Sequence, residues 1–155
     1  MNTLTNKTAY ITGGSKGIGL GIAQALLNEG MNVAISSRHL EAAQQAAATL
    51  NAGNLVLPLQ SDVSVMNDEV NAVQQIIERF GALDVLVANA GVGHFAPIDE
   101  LTEQQWHETI NTNLTGVFNS VKASVGAIKK TQGYIITIAS LAGTNFFEKA
   151  SAYNA

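Results

Sequence analysis

Apolar positions in the first sixty residues alternate between short continuous runs and stripes with helical spacing. The continuous runs, residues 8–12 and 31–36, have the length of buried strands. The stripes, residues 18–26 and 40–50, repeat an apolar side chain every three or four positions, as an amphipathic helix does. This order of strand, helix, strand and helix predicts an α/β fold whose parallel strands are joined by right-handed crossovers.

Residues 55–59 continue the pattern as a third strand, which contains Pro58. Because proline cannot donate a backbone hydrogen bond, this strand is expected at an edge of the sheet. That position fits a doubly wound, Rossmann-type parallel sheet with strand order 3-2-1-4-5. A third helical stripe then closes at Gly81, and residues 83–88 are predicted to form the fourth strand.

The longest predicted helix begins at Thr102, which can form a capping box with Gln105 three positions later. The helix is expected to extend over about 27 residues, or roughly 40 Å, to a break near Gly133. Its expected buried face consists of Trp106, Ile110, Leu114, Val117, Val121, Val125 and Ile128. Residues 134–139 are predicted to form a fifth strand, and residues 151–155 the first turn of a further helix.

Length and hydropathy indicate one domain over residues 1–155, since 155 residues with 46% hydrophobic composition can bury one substantial core. No apolar run reaches the ~18 residues of a membrane span, and residues 1–7 lack the pattern of a secretory signal. We therefore expect a soluble, cytoplasmic protein with no membrane partner.

The residue types exclude several classes of function. There is no cysteine, so thiolate metal sites and cysteine nucleophiles are excluded and any redox chemistry requires a bound cofactor. The net charge is −4 without a basic cluster, which argues against a nucleic-acid partner. Asp99, Glu100, Glu103 and Glu108 lack metal-ligand spacing and are interpreted as a solvated approach to the long helix. No metal is predicted.

A glycine-rich turn between the first strand and the first helix is the strongest local signal for a ligand. Glycines at such a turn let backbone N–H groups approach a pyrophosphate, whose charge the helix N-terminus favours. The spacing differs from both the common dinucleotide fingerprint and the P-loop, and the alternative is a tight turn that uses glycine for steric reasons. The candidate contacts are Gly13, Ser15, Lys16, Gly17, Ile18 and Gly19.

The end of the second strand indicates which dinucleotide the turn accepts. A carboxylate there would bind the adenosine ribose 2′-hydroxyl, but residues 36–39 contain none, and Ser37 and Arg38 occupy the place. Arg38 can pair with a 2′-phosphate, and Lys16 can add a second positive charge. This combination predicts NADP(H) rather than NAD. The alternative is that Arg38 is an ordinary solvated residue before a helix.

Three polar residues in the second half of the chain are candidates for chemistry, although each is a weak signal by itself. Asn113 lies at the margin of the expected buried helix face, where an amide needs partners. Ser140 follows the fifth strand, at the sheet end where open α/β folds bind ligands, and Tyr153 comes thirteen residues later. His94, Phe95, Phe146 and Phe147 are further candidates, for an apolar, partly aromatic substrate cleft.

Taken together, these motifs resemble those of the short-chain dehydrogenase/reductase family, in order and along the whole chain. The shared motifs are the Thr12 to Gly19 turn, Asp62-Val63, Asn89-Ala90-Gly91, Asn113, Ser140 and Tyr153-Asn154-Ala155. The resemblance implies that Asp62 and Val63 hold the adenine. It also implies that residues 89–91 line the cofactor and support the central strand.

The resemblance further implies the catalytic roles. Tyr153 would be the general acid and base, Ser140 would bind the substrate oxygen, and Asn113 would hold a water in the proton relay. A tyrosine, with a solution pKa of about 10, needs nearby positive charge to exchange protons near neutral pH. In the family a lysine four positions after the tyrosine supplies it, and that position lies two residues beyond Ala155.

The resemblance therefore leads to two expectations. The parent protein is expected to be an NADP(H)-dependent carbonyl reductase or alcohol dehydrogenase, similar to 3-oxoacyl reductases and acting on a small molecule, as a homodimer or homotetramer. The 155-residue chain by itself, which lacks the family's later strands and helices, is expected to show little or no turnover and to expose its fifth strand.

The same residues allow two other interpretations of the function. One is a non-catalytic dinucleotide-binding or redox-sensing module, which the chain's lack of the lysine favours. The other is a mononucleotide phosphate binder, which ranks far lower because the glycine turn lacks the required lysine and serine or threonine. Substrate identity and direction of reaction are not specified by these residues.

Overall fold

A computed structural model describes residues 4–155 of the chain. Residues 1–3, part of the segment interpreted as lacking a secretory signal, lie outside the described residues. The strands are β1 (Thr8–Ile11), β2 (Asn32–Ser37), β3 (Val56–Gln60), β4 (Val85–Ala88) and β5 (Tyr134–Thr137). The helices are α1 (Gly17–Asn28), α2 (Leu40–Leu50), α3 (Met66–Phe80), α4 (Glu103–Ile110), α5 (Gly116–Thr131) and α6 (Ser151–Asn154).

All five strands are parallel and follow the order β3-β2-β1-β4-β5, which confirms the predicted doubly wound sheet. Pro58 lies opposite Ile35 on the edge strand β3, as the sequence predicted. Since the strands are parallel, their carboxyl ends meet at one edge of the sheet. In open sheets of this kind that edge is where ligands bind.

The core divides into two layers because successive strand residues face opposite sides of the sheet. Ala9 and Ile11 of β1 pack in a cluster with Ala23 and Leu27 of α1. Tyr10, between them in the chain, faces the opposite layer, where α3 and α5 pack. Both faces of the sheet are thus covered at β1 to β4, whereas all four residues of β5 are exposed. The loops at the carboxyl edge remain to form the site.

The start of α4 matches the predicted capping box. The Thr102 hydroxyl accepts a hydrogen bond from the Gln105 amide at 3.2 Å, and the Gln105 side chain accepts one from the Thr102 amide at 3.0 Å. These two bonds satisfy backbone donors that a helix start otherwise leaves open. Among the helices within residues 4–155, none is long and apolar enough to span a membrane.

The long helix differs from the prediction in its middle and in the side it buries. A π-helical turn, Asn111–Thr115, separates α4 from α5, and Leu114 of the predicted buried face is 66% exposed. Asn119, Ser120 and Ser124 are buried instead. Of the predicted face beyond the π turn, Ile128 is buried and Val121 packs against the same core cluster. The wider π turn shifts the side-chain register, so an unbroken 3.6-residue count misses the polar residues that the helix also buries. Small side chains on the buried side then allow α5 to pack closely against its neighbours.

Candidate functional site

The glycine turn after β1 is shaped by two positive φ angles, +63° at Gly13 and +55° at Gly17. A Cβ atom at Gly13 would lie 2.9 Å from the Ala90 Cα, so the turn packs directly against the segment after β4. The Gly14 amide also donates to the Ser36 carbonyl of β2 at 3.0 Å. The turn therefore contacts the carboxyl end of β2 and the segment that follows β4.

A clamp between Thr12 and Asn89 fixes the turn to the end of β4. The buried Thr12 hydroxyl accepts hydrogen bonds from the backbone amides of Asn89 (3.0 Å) and Ala90 (3.1 Å). In return the Asn89 side-chain amide donates to the Thr12 carbonyl at 2.9 Å and to the Gly13 carbonyl at 3.3 Å. Asn89 and Ala90 thus support the turn as well as line the cleft beside it. No local pattern assigns Thr12 a role of its own, because a short polar residue at a strand end has many uses.

Beside β2 and β3 lies a cleft of about 410 Å³, here named the outer cleft, which is lined partly by Arg38, Asp62 and Ser64. Ser37, which precedes Arg38, accepts a hydrogen bond at its hydroxyl from the His39 amide at 3.3 Å. Lys16 lies at the exposed N-cap of α1 and forms no ion pair with any residue in the described 4–155 range. The sequence-predicted Arg38 and Asp62 are therefore brought to one cleft at the expected sheet edge.

Arg38 is engaged by Glu108 of α4, which also contacts His94. The Arg38 Nη1 atom lies 3.3 Å from one Glu108 carboxylate oxygen, and the His94 Nε2 atom lies 2.9 Å from the other. The hydrogen bond from His94, helped by the one from Arg38, lowers the pKa of Glu108 against the smaller raising effect of burial. Glu108, interpreted from the sequence as part of a solvated approach to the long helix, keeps 35% of its side-chain surface exposed and in addition contacts Arg38 and His94. No local signal links it to Arg38, which is seventy residues away in the chain.

Asp62 and Val63 follow β3 and are held by local and distant bonds. The Asp62 carboxylate accepts from the Ser64 amide at 2.9 Å and the Ser64 hydroxyl at 2.7 Å, which closes a tight turn. Val63 is buried, and its carbonyl accepts a hydrogen bond from the Asn119 side chain at 2.8 Å. Asn119 therefore positions this segment, a contact across 56 residues that sequence patterns could not reveal.

The larger cleft, about 710 Å³ and here named the central cleft, brings together residues from five separate parts of the chain. It is lined by Ile18 of the glycine turn, by residues 89–91, and by the predicted Asn113, Ser140 and Tyr153. Phe95 also lines it, whereas His94, Phe146 and Phe147 do not. The three polar candidates, each weak in the sequence, are therefore grouped at the carboxyl edge beside the glycine turn.

Asn113 lies in the π turn, and its side chain is fixed by the loop after β4. Its carbonyl oxygen accepts from the Val92 amide at 2.9 Å, and its amide nitrogen donates to the Val92 carbonyl at 2.8 Å. These reciprocal bonds satisfy the polar groups of one loop residue and order the wall of the central cleft. π turns occur frequently at functional sites because they re-aim side chains.

Tyr153 is carried into the central cleft by α6, which docks on the loop after β4. The Ala96 amide donates to the Lys149 carbonyl at 2.7 Å, and the ring centroids of Phe95 and Tyr153 are 5.8 Å apart. Ser140, three residues beyond β5, accepts a hydrogen bond from the Ala142 amide at 3.2 Å. That bond uses an oxygen lone pair and leaves the Ser140 hydroxyl proton free to be donated into the cleft.

The described residues fit an elongated ligand with a charged middle. The glycine turn leaves no room for a Cβ at Gly19, where it would lie 2.5 Å from the Asn89 side-chain nitrogen and 2.9 Å from the Gly13 carbonyl. This packing holds the turn at the start of α1, and a helix N-terminus favours the charge of a pyrophosphate. The outer cleft on one side offers Arg38 and Asp62, and the central cleft on the other offers a phenol and a hydroxyl. A dinucleotide has this order of parts.

Comparison with known proteins agrees with this geometry. The sequence model of the family described as short chain dehydrogenase matches residues 7–155. A 3-oxoacyl-(acyl-carrier-protein) reductase from Chlamydia trachomatis is 42% identical over 144 residues, which cover 90% of this chain and 58% of the relative. Trans-4-hydroxycyclohexanecarboxylate dehydrogenase from Sinomonas cyclohexanicum is 35% identical over 159 residues, covering 98% of this chain and 61% of the relative.

Solved structures give the same result. A short-chain dehydrogenase/reductase from Brucella melitensis superposes with a TM-score of 0.91 at 33% identity, covering 96% of this chain and 63% of the other. An alcohol dehydrogenase from the archaeon Thermococcus sibiricus, in complex with 5-hydroxy-NADP, gives a TM-score of 0.89 at 36% identity, with coverages of 95% and 63%. The chain therefore spans about three fifths of the length of the relatives that it matches.

Proposed function

Because the chain belongs to the short-chain dehydrogenase family of oxidoreductases, we propose that its protein transfers a hydride between NADP(H) and a carbonyl or alcohol substrate. The observation that carries the proposal is the grouping of Asn113, Ser140 and Tyr153 in one cleft beside the glycine turn. The relative at 42% identity, a 3-oxoacyl reductase, supports a 3-oxo compound as the substrate class. The partly apolar cleft wall at Phe95 suits the chain of such a substrate.

NADP(H) is the proposed dinucleotide because of the charges at the end of β2. Arg38 borders the outer cleft, and no carboxylate occurs in residues 36–39 to bind a ribose 2′-hydroxyl. Lys16 is exposed at the neighbouring N-cap of α1. Two positive side chains at this edge favour a 2′-phosphate, and Arg38 would exchange its Glu108 partner for it. Gly13, Ser15, Gly17, Ile18 and Gly19 would hold the pyrophosphate, with Ser37 beside the 2′-phosphate.

The residues of the central cleft divide the chemistry between them. When bound, the nicotinamide supplies or accepts the hydride at the substrate carbon. In reduction, Tyr153 would donate its phenolic proton to the carbonyl oxygen, while the Ser140 hydroxyl hydrogen-bonds the same oxygen. Asn113 orders the cleft wall through Val92. With its second amide hydrogen it would hold the water that returns a proton to Tyr153.

Efficient proton transfer from Tyr153 requires a neighbouring cation, since a phenol normally ionises near pH 10. Within residues 4–155 no lysine or arginine hydrogen-bonds the Tyr153 hydroxyl. We therefore propose that the 155-residue chain binds NADP(H) but turns over slowly, and that the whole protein supplies the cation. A non-catalytic dinucleotide-binding module is the alternative, and this lack of a cation is the observation in its favour.

We place the protein in the cytoplasm as a homodimer or homotetramer that acts on a small molecule, with no nucleic-acid, membrane or metal partner. Residues 1–155 would form a single dinucleotide-binding unit within the longer domain.

The test compares the full-length protein with its Tyr153→Phe variant. With NADPH and an acetoacetyl thioester, oxidation of NADPH is followed at 340 nm. The variant should keep NADPH affinity and lose about 10²–10⁴-fold in kcat, the typical contribution of a general acid. A variant that still reduces the substrate at the parent rate would contradict the role of Tyr153. A parent that binds NADPH but reduces no carbonyl would favour the non-catalytic alternative.

A further inference from the structure

A buried hydrogen-bonded cluster lies under the outer cleft and is not used by the proposed chemistry. It consists of Tyr10, Ser36, Ser61 and Glu69, whose exposures lie between 0% and 3%. The Tyr10 and Ser61 hydroxyls both donate to the Glu69 Oε1 atom, at 2.8 Å and 2.6 Å. Tyr10 also lies 3.1 Å from the Ser36 hydroxyl. One carboxylate oxygen thus joins β1, the end of β2 and the segment after β3.

Each serine of the cluster is directly followed by residues assigned to the dinucleotide. Ser36 precedes Ser37 and Arg38, and Ser61 precedes Asp62. Backbone hydrogen bonds join the same segments. The Ser36 carbonyl accepts from the Gly14 amide at 3.0 Å, and the Ser61 amide donates to the Ser37 carbonyl at 3.0 Å. The cluster therefore lies where the glycine turn and the two walls of the outer cleft are joined.

Stability alone is a poor reason for this arrangement. Glu69 is completely buried, its Oε2 atom has no hydrogen-bond partner, and no basic side chain within the described residues pairs with it. Replacing buried charged groups by apolar side chains of similar size is often neutral or stabilising. Apolar side chains at positions 10 and 69 would remove the directional hydrogen bonds. Packing alone does not fix the spacing of the two serines as hydrogen bonds do.

We propose that Glu69, acting through Tyr10 and Ser61, is a positioning residue for the adenosine half of the dinucleotide. It holds the end of β2 and the segment after β3 at the separation that places Arg38 and Asp62 around the ligand. The proposal rests on the proposed function, since it requires a dinucleotide in the outer cleft. Its effect is on binding of the adenosine half and not on the chemistry at Tyr153, which lies at the central cleft.

The test uses the full-length protein and adenosine 2′,5′-bisphosphate, a probe that contains only the adenosine half. In calorimetry the Tyr10→Phe/Glu69→Leu variant should bind the probe about tenfold more weakly than the parent. Its KM for NADPH should rise by a similar factor, with kcat at saturating NADPH unchanged. Glu69→Gln, which keeps an oxygen acceptor for Tyr10 and Ser61, should bind the probe within about twofold of the parent.

A matched control removes a buried acid at the opposite end of the sheet. Asp84 accepts hydrogen bonds from Lys7 and the Thr8 amide, so Asp84→Asn should lower the melting temperature and leave probe affinity unchanged. Should the double variant fail to fold, Tyr10→Phe alone cuts the link to Ser36 and is expected to weaken the probe about threefold.

The outcomes separate this proposal from the proposed function. Probe binding by the double variant within about twofold of the parent overturns the positioning role, as does equal weakening by Asp84→Asn or by Glu69→Gln. If Tyr10→Phe is used in place of the double variant, probe binding within about twofold of the parent likewise overturns the positioning role. A parent protein that binds neither the probe nor NADPH refutes the proposed function instead.

Discussion

Gly19 and Gly21 lie two residues apart in the same helix, and they respond oppositely to an added methyl group. A Cβ at Gly19 would approach the Gly13 carbonyl to 2.9 Å and the Gly14 Cα to 3.0 Å, both backbone atoms, besides the Asn89 side chain at 2.5 Å. A Cβ at Gly21 meets nothing within 4 Å. Neither glycine has a positive φ, so the two alanine variants differ in steric contacts and not in backbone strain.

The magnitude follows from opposing contributions. Alanine in place of glycine inside a helix stabilises it by about 1 kcal/mol. At Gly21 this is the whole effect, and for a domain of this size it raises the melting temperature by roughly 2–4 °C. At Gly19 the overpacking costs about 1–3 kcal/mol, and weakening the two Asn89 side-chain bonds costs about 0.5–1.5 kcal/mol each. Gly19→Ala should therefore be destabilised by about 3 kcal/mol and melt roughly 6–12 °C lower.

Thermal unfolding and calorimetric titration with NADPH measure both effects in the same samples. We expect Gly19→Ala to lose at least about tenfold in NADPH affinity, because the displaced turn no longer presents its N–H groups to the pyrophosphate. Gly21→Ala should bind as the parent does. If Gly19→Ala instead melts as high as Gly21→Ala and binds NADPH equally well, the assignment of the turn as a pyrophosphate site is wrong.

Four further predictions concern charge. Arg38→Asp should remove most of the preference for NADPH over NADH in titrations of both, and equal affinities in the parent would refute the 2′-phosphate argument. Glu108→Gln should bind NADPH about two- to fivefold more tightly, because Arg38 is released and a repelling carboxylate is lost. Since its pairing with His94 and Arg38 lowers the pKa of Glu108, that carboxylate stabilises the fold at neutral pH. The stabilisation should disappear as the pH falls through the lowered pKa, and parent and Glu108→Gln melting curves should then converge; a gap that persists in acid contradicts this. Burial, and next the charge of Glu69, raise the pKa of Tyr10 well above its usual value, so stability should decrease as the pH rises above about 10. Tyr10→Phe should lessen this alkaline loss, and an unchanged alkaline melting profile would refute the coupling.

Local patterns determined most of the architecture. Pro58 predicted the edge strand, Thr102 and Gln105 predicted the start of α4, and the alternation of short apolar runs with helical stripes predicted the parallel sheet. Each of these signals acts between residues close in the chain, so no tertiary contact is needed to read it. The glycine turn could be recognised in the sequence for the same reason.

The buried face of the long helix could not be fully predicted, because the helix is not regular. The π turn at Asn111–Thr115 shifts the periodicity that the prediction assumed. The side that packs inward carries Asn119, Ser120 and Ser124, which a hydrophobic stripe does not reveal. The inward side of α5 is determined by its small side chains and by the Val63 carbonyl that Asn119 binds. Both depend on contacts between segments that are distant in the chain.

By itself the sequence determined the fold class, the glycine turn and the presence of Asn113, Ser140 and Tyr153 at a recognisable spacing. Only the tertiary structure decided that these three line one cleft, that Glu108 holds Arg38, and that a buried Glu69 lies beneath the outer cleft. The reason is physical. Secondary structure follows from interactions over a few residues. The partners of a polar side chain are instead fixed by how distant segments pack, and no local sequence pattern contains that information.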